Sequence, residues 1–387
     1  MLATLIAVVG LLLAYANGSN DNFKGVATLL GSGTTSYRRA LLLATGATAA
    51  GSLVALIVAR ELLVAFSGKG LVPGPVAAEP TFAAAVAVAA GATVLLASRL
   101  GFPISTTHAL LGGLVGAGAM LSPDGVHGGQ LANGFVLPLL LSPVLALALT
   151  ATSYPSLRRL RRLSGVTRET CVCVGDRVVA VVPGTLGAAQ ATRAVAMQMP
   201  AASVGTGATC RVRYRGTVWG VSAGRFLDAA HYASAGAVSF ARGLNDTPKI
   251  AALLLVGQTL PPGAAISGTA LAIAAGGLIG ARRVAQTMSH GVTEMNPGQG
   301  LTANLVTAAL VIGASKWGMP VSTTHVSCGS LFGLGTATGG ARWSTIGRIM
   351  LAWVVTLPLA GALGALTATA LQFYGLVLVG LYQAFPF

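Results

Sequence analysis

Apolar runs of about the length that crosses a bilayer recur along this chain of 387 residues. A membrane-spanning helix needs ~20 consecutive, mostly apolar residues. Such runs lie at 1–16, 40–59, 82–98, 131–152, 262–280, 301–315 and 347–385. Charged residues make up 9% of the chain, whereas a soluble domain carries about 25%. The pattern predicts an all-α polytopic membrane protein, since a β-barrel would show short alternating strands.

The arginines cluster in loops between the apolar runs. Loops rich in arginine face the cytoplasm in most membrane proteins. This rule places Arg38, Arg99, Arg282 and Arg342 inside and puts the N-terminus outside. The net charge of +15 is accounted for by this bias, so no nucleic-acid partner is expected. We expect a multi-pass protein of the cell inner (plasma) membrane.

A polar segment interrupts the apolar pattern near the middle of the chain. Short runs rich in β-branched residues, such as CVCVGDRVVAVV at 171–182, predict a small β-rich soluble insert on the cytoplasmic side. We therefore divide the chain into a first membrane repeat at 1–155, an insert at 156–224 and a second membrane repeat at 225–387.

The four cysteines give weak signals. Cys171, Cys173 and Cys210 lie in the insert, and Cys328 lies in the second repeat. Their spacing does not suggest a disulfide framework. Three thiols without a nearby histidine make a poor zinc site, so ordinary packing is the favoured interpretation and no cofactor is predicted.

Two motifs each occur twice, in the same order. NGSNDNFKGVATLL (17–30) matches RGLNDTPKIAALLL (242–255), and GFPISTTHALLGGLVGAG (101–118) matches GMPVSTTHVSCGSLFGLG (318–335). The charge-based topology gives the two copies opposite directions across the membrane. Inverted repeats with broken or re-entrant helices are typical of secondary transporters, whose substrate site lies near the midplane where the repeats meet.

These paired Asn-Asp and Pro-x-Ser-Thr-Thr-His motifs resemble those of the inorganic phosphate transporter (PiT) family. The resemblance covers both membrane repeats and omits the insert at 165–222. It implies import of inorganic phosphate coupled to a sodium or proton gradient, through an inverted-repeat fold that forms a homodimer. It also leaves a sulfate permease of the same fold as an alternative.

The chemistry of an oxyanion site fits the residue types in the motifs. Phosphate leaving water needs many hydrogen-bond donors and positive charge, and broken helix ends supply both. Acidic residues in apolar segments are functional candidates by default, and a cation between carboxylate and phosphate would explain them. The predicted substrate-binding residues are Ser105, Thr106, Thr107, Ser322, Thr323, Thr324, Lys24, Lys249, Asn20, Asn245, Asp21 and Asp246. The predicted sodium ligands among them are Asn20, Asp21, Asn245 and Asp246.

Two lysines depart from the family pattern. The family motif reads Asn-Asp-x-Ala-Asn, whereas both copies here carry lysine at the final place, as Lys24 and Lys249. Each lysine could pair with an aspartate, contact the anion, or extend to the membrane interface. A fixed ammonium could also replace a bound sodium ion, which leads to the hypothesis of reduced sodium dependence and proton coupling.

Other polar residues have weaker assignments. His108 and His325 are expected to donate structural hydrogen bonds beneath the hydroxyls, with proton transfer as the alternative. Candidate cation ligands or gate residues further along the chain are Glu294, Asn296, Gln299 and Asn304, with a solvated loop favoured for Glu294. Residues expected at the membrane interface are His231, Trp317 and Trp343.

An enzyme is disfavoured, because the chain has no His-Glu-x-x-His motif and no acidic residue within a helical turn of His108 or His325. A passive anion channel is a further alternative, since paired re-entrant segments also suit a channel. The inverted pairing of charged motifs favours alternating access.

Overall fold

The computed structural model describes residues 2–181, 195–213, 215–256 and 260–384. Ten helices of at least 16 residues dominate this part of the chain. They are α1 (Leu2–Asp21), α2 (Tyr37–Val58), α3 (Pro80–Leu100), α4 (Thr106–Leu121), α5 (Leu137–Leu163), α6 (Ala223–Leu255), α7 (Pro262–Gly280), α8 (Pro297–Lys316), α9 (Thr323–Thr338) and α10 (Trp343–Ala384). The prediction of an all-α polytopic fold is confirmed.

Within the described residues, six helical stretches are long and apolar enough to cross a membrane, by length and composition. They are Ala3–Gly31, Tyr37–Val58, Pro80–Leu100, Gly128–Leu163, Pro262–Gly280 and Trp343–Tyr374. The shorter helices between the long ones are Ala27–Gly31, Arg60–Phe66, Gly74–Ala77, Gly128–Gln130 and Arg282–Gln286, with π-helical turns at Leu131–Val136 and Thr287–Gly291. The two membrane repeats therefore contain five long helices each, α1–α5 and α6–α10.

Small residues let the helices around the motifs approach closely. α1 packs against α3 and α7, and α4 packs against α3 and α10. In α4, a Cβ added to Gly112 would lie 2.9 Å from Ala360 Cβ of α10. In α9, a Cβ added to Gly329 would lie 3.0 Å from Pro143 Cα of α5. These matched glycines bring the backbones of both motif-bearing helices against a neighbour, as small residues do in membrane helices.

The two Asn-Asp motifs have different backbones. α1 ends at Asp21, and a 3-10 turn, Lys24–Val26, joins it to the short helix Ala27–Gly31. The second copy is continuous, because α6 runs through it with Pro248 inside the helix. The two repeats are therefore similar in order but unequal at this position.

The predicted β-rich insert is confirmed in its described residues. β1 (Thr170–Val181) lies between β2 (Val195–Thr206) and β3 (Arg215–Ser222), and both pairings are antiparallel. A helix, Gly207–Arg213, precedes β3. The predicted strand stretch 171–182 ends just outside the described residues. By compactness, the chain divides into one unit of residues 1–155 with 231–387 and another of residues 156–230.

Candidate functional site

Each Ser-Thr-Thr-His motif forms the N-terminus of a helix. An irregular stretch precedes α4 and α9, and a serine caps each helix. Ser105 Oγ accepts the main-chain N–H of His108 at 3.0 Å, and Ser322 Oγ accepts that of His325 at 3.2 Å. Serine is a preferred N-cap because its oxygen satisfies an N–H that the helix leaves free. Each serine retains its own O–H, so both remain available as donors.

The first threonine of each motif bonds to the aspartate of its own repeat. Thr106 Oγ1 donates to Asp21 Oδ2 at 2.9 Å. Thr323 Oγ1 donates to Asp246 Oδ2 at 3.4 Å. The start of α4 is thus tied to the end of α1, and the start of α9 to the middle of α6. The predicted acidic and hydroxyl-bearing residues meet in both repeats.

The second threonine of each motif reaches into the other repeat. Thr107 Oγ1 donates to the main-chain oxygen of Val321 at 3.3 Å, and Thr324 Oγ1 donates to that of Ile104 at 2.9 Å. Val321 and Ile104 occupy the same place in the two motifs. This reciprocal exchange shows that the two repeats meet at their Ser-Thr-Thr-His segments.

The ammonium of Lys24 lies inside a shell of oxygen atoms. It donates to Asn20 Oδ1 at 2.8 Å, to Ile104 O at 2.8 Å and to Thr324 Oγ1 at 2.7 Å. It also forms an ion pair with Asp21. Lys24 is buried, so it does not extend to a membrane interface.

The ammonium of Lys249 has a similar shell with the repeats exchanged, but without an amide oxygen. It donates to Thr107 Oγ1 at 2.9 Å and to Val321 O at 2.6 Å, and it lies 3.8 Å from Asp246 Oδ1. It also lies 5.4 Å from the centroid of the Phe66 ring. This lysine is buried as well.

The two motif asparagines hold the irregular stretches in place. Asn20 Nδ2 donates to Ser98 Oγ at 3.1 Å, while Asn20 Oδ1 accepts from Lys24. Asn245 Nδ2 donates to Val321 O at 3.3 Å, and Asn245 Oδ1 accepts from Ser315 at 3.2 Å. Of the four predicted sodium ligands, Asn20 and Asp21 direct oxygens at an ammonium. Binding of sodium by these four residues stays a prediction.

One arginine that the sequence analysis missed completes the cluster. Arg242 donates from Nη2 to Asn17 Oδ1 at 2.7 Å, and its Nε lies 3.6 Å from Asp246 Oδ2. Asn17 Nδ2 in turn donates to Asp21 Oδ2 at 2.9 Å and to Asp246 Oδ2 at 3.4 Å. The two carboxylates therefore share one amide. Arg242 occupies the position of Asn17 in the aligned motifs. This difference between the two copies was the sequence feature that could have pointed to Arg242.

The cluster is closed and carries more positive than negative charge. Its three cationic and two acidic side chains, Lys24, Arg242, Lys249, Asp21 and Asp246, are at most 4% exposed. In their ordinary charged forms they leave one positive charge in excess. Buried charges are tolerated when they are paired and hydrogen-bonded, and the excess positive charge favours an anion as the missing partner.

The two motif histidines stack against each other below the cluster. The rings of His108 and His325 lie 4.3 Å apart, centroid to centroid, in an edge-to-face arrangement. The His325 ring also lies 3.9 Å from that of Trp353. Among the described residues neither ring bonds to a motif hydroxyl. The expected structural hydrogen bonds are therefore replaced by ring packing.

The weaker candidates later in the chain have structural partners. Asn296 and Gln299 form a reciprocal capping box at the start of α8. Asn304 Oδ1 accepts from Thr28 at 3.1 Å inside the protein. Glu294 is exposed and pairs with an arginine at 3.0 Å. These contacts explain the four residues without a bound cation.

Of the three predicted interface residues, His231 is placed differently. It is fully buried, and its Nε2 lies 3.0 Å from Thr28 Oγ1. The prediction for His231 is wrong, because its ring serves as a polar core contact. Trp317 and Trp343 are exposed, and their position at a membrane interface stays a prediction.

The insert cysteines also differ from expectation. Cys173 and Cys210 form a disulfide, where the sequence analysis favoured ordinary packing. The sulfur of Cys171 is buried beside them, and the three sulfurs lie within 4.8 Å of one another. The spacing of cysteines in sequence gave no sign of this pairing, which joins β1 to the helix Gly207–Arg213.

Known proteins with similar sequences match this chain over most of their length. A probable low-affinity inorganic phosphate transporter of Mycobacterium bovis is 31% identical over 97% of this chain and 78% of that protein. A putative phosphate permease of Pyrococcus abyssi is 28% identical over 96% of this chain and 98% of that protein.

Two further comparisons concern the fold and the family. A solved structure described as the sodium-dependent phosphate transporter superposes with a TM-score of 0.72, at 18% identity, over 96% of this chain and 99% of that chain. The sequence model of the Phosphate transporter family matches residues 17–364, which include every motif described above. The chain is a multi-pass membrane protein that belongs to the phosphate transporter family.

Proposed function

We propose that this chain imports inorganic phosphate by alternating access, with the buried cluster as its substrate site. The observation that carries the proposal is the closed, positively charged meeting point of the two repeats. An anion can reach side chains that are at most 4% exposed only after the helices around them separate. Such gating favours a transporter over a passive channel.

The donors around the cluster suit a tetrahedral oxyanion. Two helix N-termini converge there, and each supplies free main-chain N–H groups and a favourable dipole. The hydroxyls of both motifs and the two ammonium groups add further hydrogen-bond donors, which can rotate to face an anion. We assign phosphate contacts to Ser105, Thr106, Thr107, Ser322, Thr323, Thr324, Lys24, Lys249, Asn20 and Asn245, with Asp21 and Asp246 beside them.

The two carboxylates favour phosphate over sulfate. Phosphate near neutral pH carries a proton that it can donate in a hydrogen bond to Asp21 or Asp246. Sulfate has no such proton, so its oxygens would face a carboxylate without a hydrogen bond. A buried acceptor left unpaired costs about 1–3 kcal/mol, which is enough for clear discrimination.

Uptake of labelled phosphate into proteoliposomes tests this function. We expect phosphate to accumulate above its external concentration when a cation gradient is imposed, with little competition from sulfate. Thr107→Ala should reduce uptake, whereas Thr369→Ala, an exposed hydroxyl that bonds only within α10, should not. Equilibration without accumulation would indicate a channel, and equal competition by sulfate would indicate a sulfate permease.

A further inference from the structure

The oxygen shell around Lys24 has the composition of an alkali-cation site. A carboxylate, a side-chain amide, a main-chain carbonyl and a hydroxyl converge on one nitrogen atom, three of them at 2.7–2.8 Å. Hard monovalent and divalent cations select these neutral and anionic oxygen ligands. The ligands come from both repeats, because Ile104 belongs to the first motif and Thr324 to the second.

The shell around Lys249 repeats the hydroxyl and the main-chain carbonyl with the repeats exchanged, and the carboxylate of Asp246 lies 3.8 Å away. It lacks the amide oxygen, because Asn245 Oδ1 accepts from Ser315 instead. Thr107 replaces Thr324, and the main-chain oxygen of Val321 replaces that of Ile104. A single cationic atom at each site therefore links both Ser-Thr-Thr-His motifs. The backbone differs at the two sites, one in a 3-10 turn and the other in a continuous helix, yet the ammonium reaches an equivalent place.

The charge of the cluster depends on these two ammonium groups. With them, the three cations exceed the two carboxylates by one charge. Without them, only Arg242 would face Asp21 and Asp246, and the excess would be one negative charge. Two bound monovalent cations, one in each oxygen shell, would restore the original balance. A negative cluster without such cations would repel phosphate.

We propose that the ammonium groups of Lys24 and Lys249 are tethered substitutes for coupling sodium ions, so that phosphate uptake by this chain does not require sodium. The proposal rests on the proposed function for its transport readout. It implies that the oxygen shells remain competent for sodium once the lysines are removed.

The test is a gain of sodium dependence. In proteoliposomes, uptake by the wild-type chain should be the same with sodium as with choline. The double variant Lys24→Asn and Lys249→Asn keeps an oxygen at each place but removes the charge. Sodium should stimulate its uptake about tenfold or more, because Arg242 alone does not balance the two buried carboxylates. The matched control is Lys69→Asn with Lys316→Asn, which changes the two remaining lysines of the chain, both exposed.

Sodium binding can be measured without transport. Because a ligand that binds only the folded state raises its stability, sodium but not choline should raise the melting temperature of the purified Lys24/Lys249 double variant. The wild type and the control should show no such sodium-specific rise. This measurement applies even to a double variant that no longer transports.

The outcomes separate the two proposals. A strict sodium requirement in the wild type overturns the tethered-cation proposal, as does a double variant that shows neither sodium-stimulated uptake nor sodium-specific stabilisation. If the wild type transports no phosphate under any condition, the proposed function fails. In that case the melting-temperature measurement still decides whether the lysines fill cation sites.

Discussion

Arg242 is the residue that makes the two repeats unequal. Where the first repeat has the neutral Asn17, the second has a guanidinium that bonds to Asn17 itself and approaches Asp246. The exchange adds one fixed positive charge to an otherwise symmetric set of two lysines and two aspartates. The resulting excess of positive charge suits the proposed anion site.

Removing this charge should weaken phosphate binding. We expect Arg242→Ala to raise the KM for phosphate uptake by about tenfold or more, since hydrogen bonds to buried charged groups contribute about 1.5–3 kcal/mol. Arg242→Lys should raise the KM by less, because lysine keeps the positive charge and loses only the forked hydrogen-bonding geometry of the guanidinium. Initial rates over a range of phosphate concentrations give both values. Arg348→Ala, an exposed arginine of α10, is the control, and an unchanged KM in Arg242→Ala would contradict the role.

The shared motifs predicted most of the site because they recur in both repeats. Comparison of the two copies identified the carboxylates, lysines and hydroxyls that the structure brings together. It did not identify Arg242, which is a difference between the copies. The contacts of His231 were also missed, because the sequence around an isolated histidine does not show that its ring contacts Thr28.

At the scale of helices, the serine caps were readable and the continuity of α6 was not. Ser-Thr-Thr-His after a proline is a strong start signal, and both α4 and α9 begin there. The second Asn-Asp motif contains Pro248, which removes a main-chain donor, yet α6 is continuous there. Neighbouring helices and hydroxyl side chains can satisfy the freed groups in a membrane protein, and sequence alone does not show which neighbours are present.

Close helix packing behind the motif should be sensitive to one added carbon. Gly329→Ala places a Cβ 3.0 Å from Pro143 Cα, and such overpacking costs about 1–3 kcal/mol. Gly347→Ala adds the same carbon in α10, where no described atom beyond the local helix backbone lies within 4 Å. We expect the melting temperature in detergent to fall for Gly329→Ala and to stay equal or rise for Gly347→Ala. Equal melting temperatures for the two variants would show that α5 and α9 can separate freely.

At the scale of the whole molecule, composition and charge predicted the class of protein. The predicted multi-pass protein of the plasma membrane is confirmed by the apolar helices and by family membership. The homodimer implied by the family resemblance stays a prediction. The internal order of the insert was harder to predict, because residue spacing does not show that the helix Gly207–Arg213 places Cys210 beside Cys173 of β1.

The insert should be dispensable for transport itself. Every residue assigned to the substrate site lies in the compact unit of residues 1–155 and 231–387, whereas the three strands lie in the unit of residues 156–230. Cys171 and Ser222 are cross-strand partners, so a short Gly-Ser linker can join them after excision of residues 172–221. Because excision between adjacent ends is well tolerated, we expect phosphate uptake per folded protein within about twofold of the intact chain. Loss of uptake by a folded, excised protein would instead make the insert part of the transport cycle, since the site residues would all still be present.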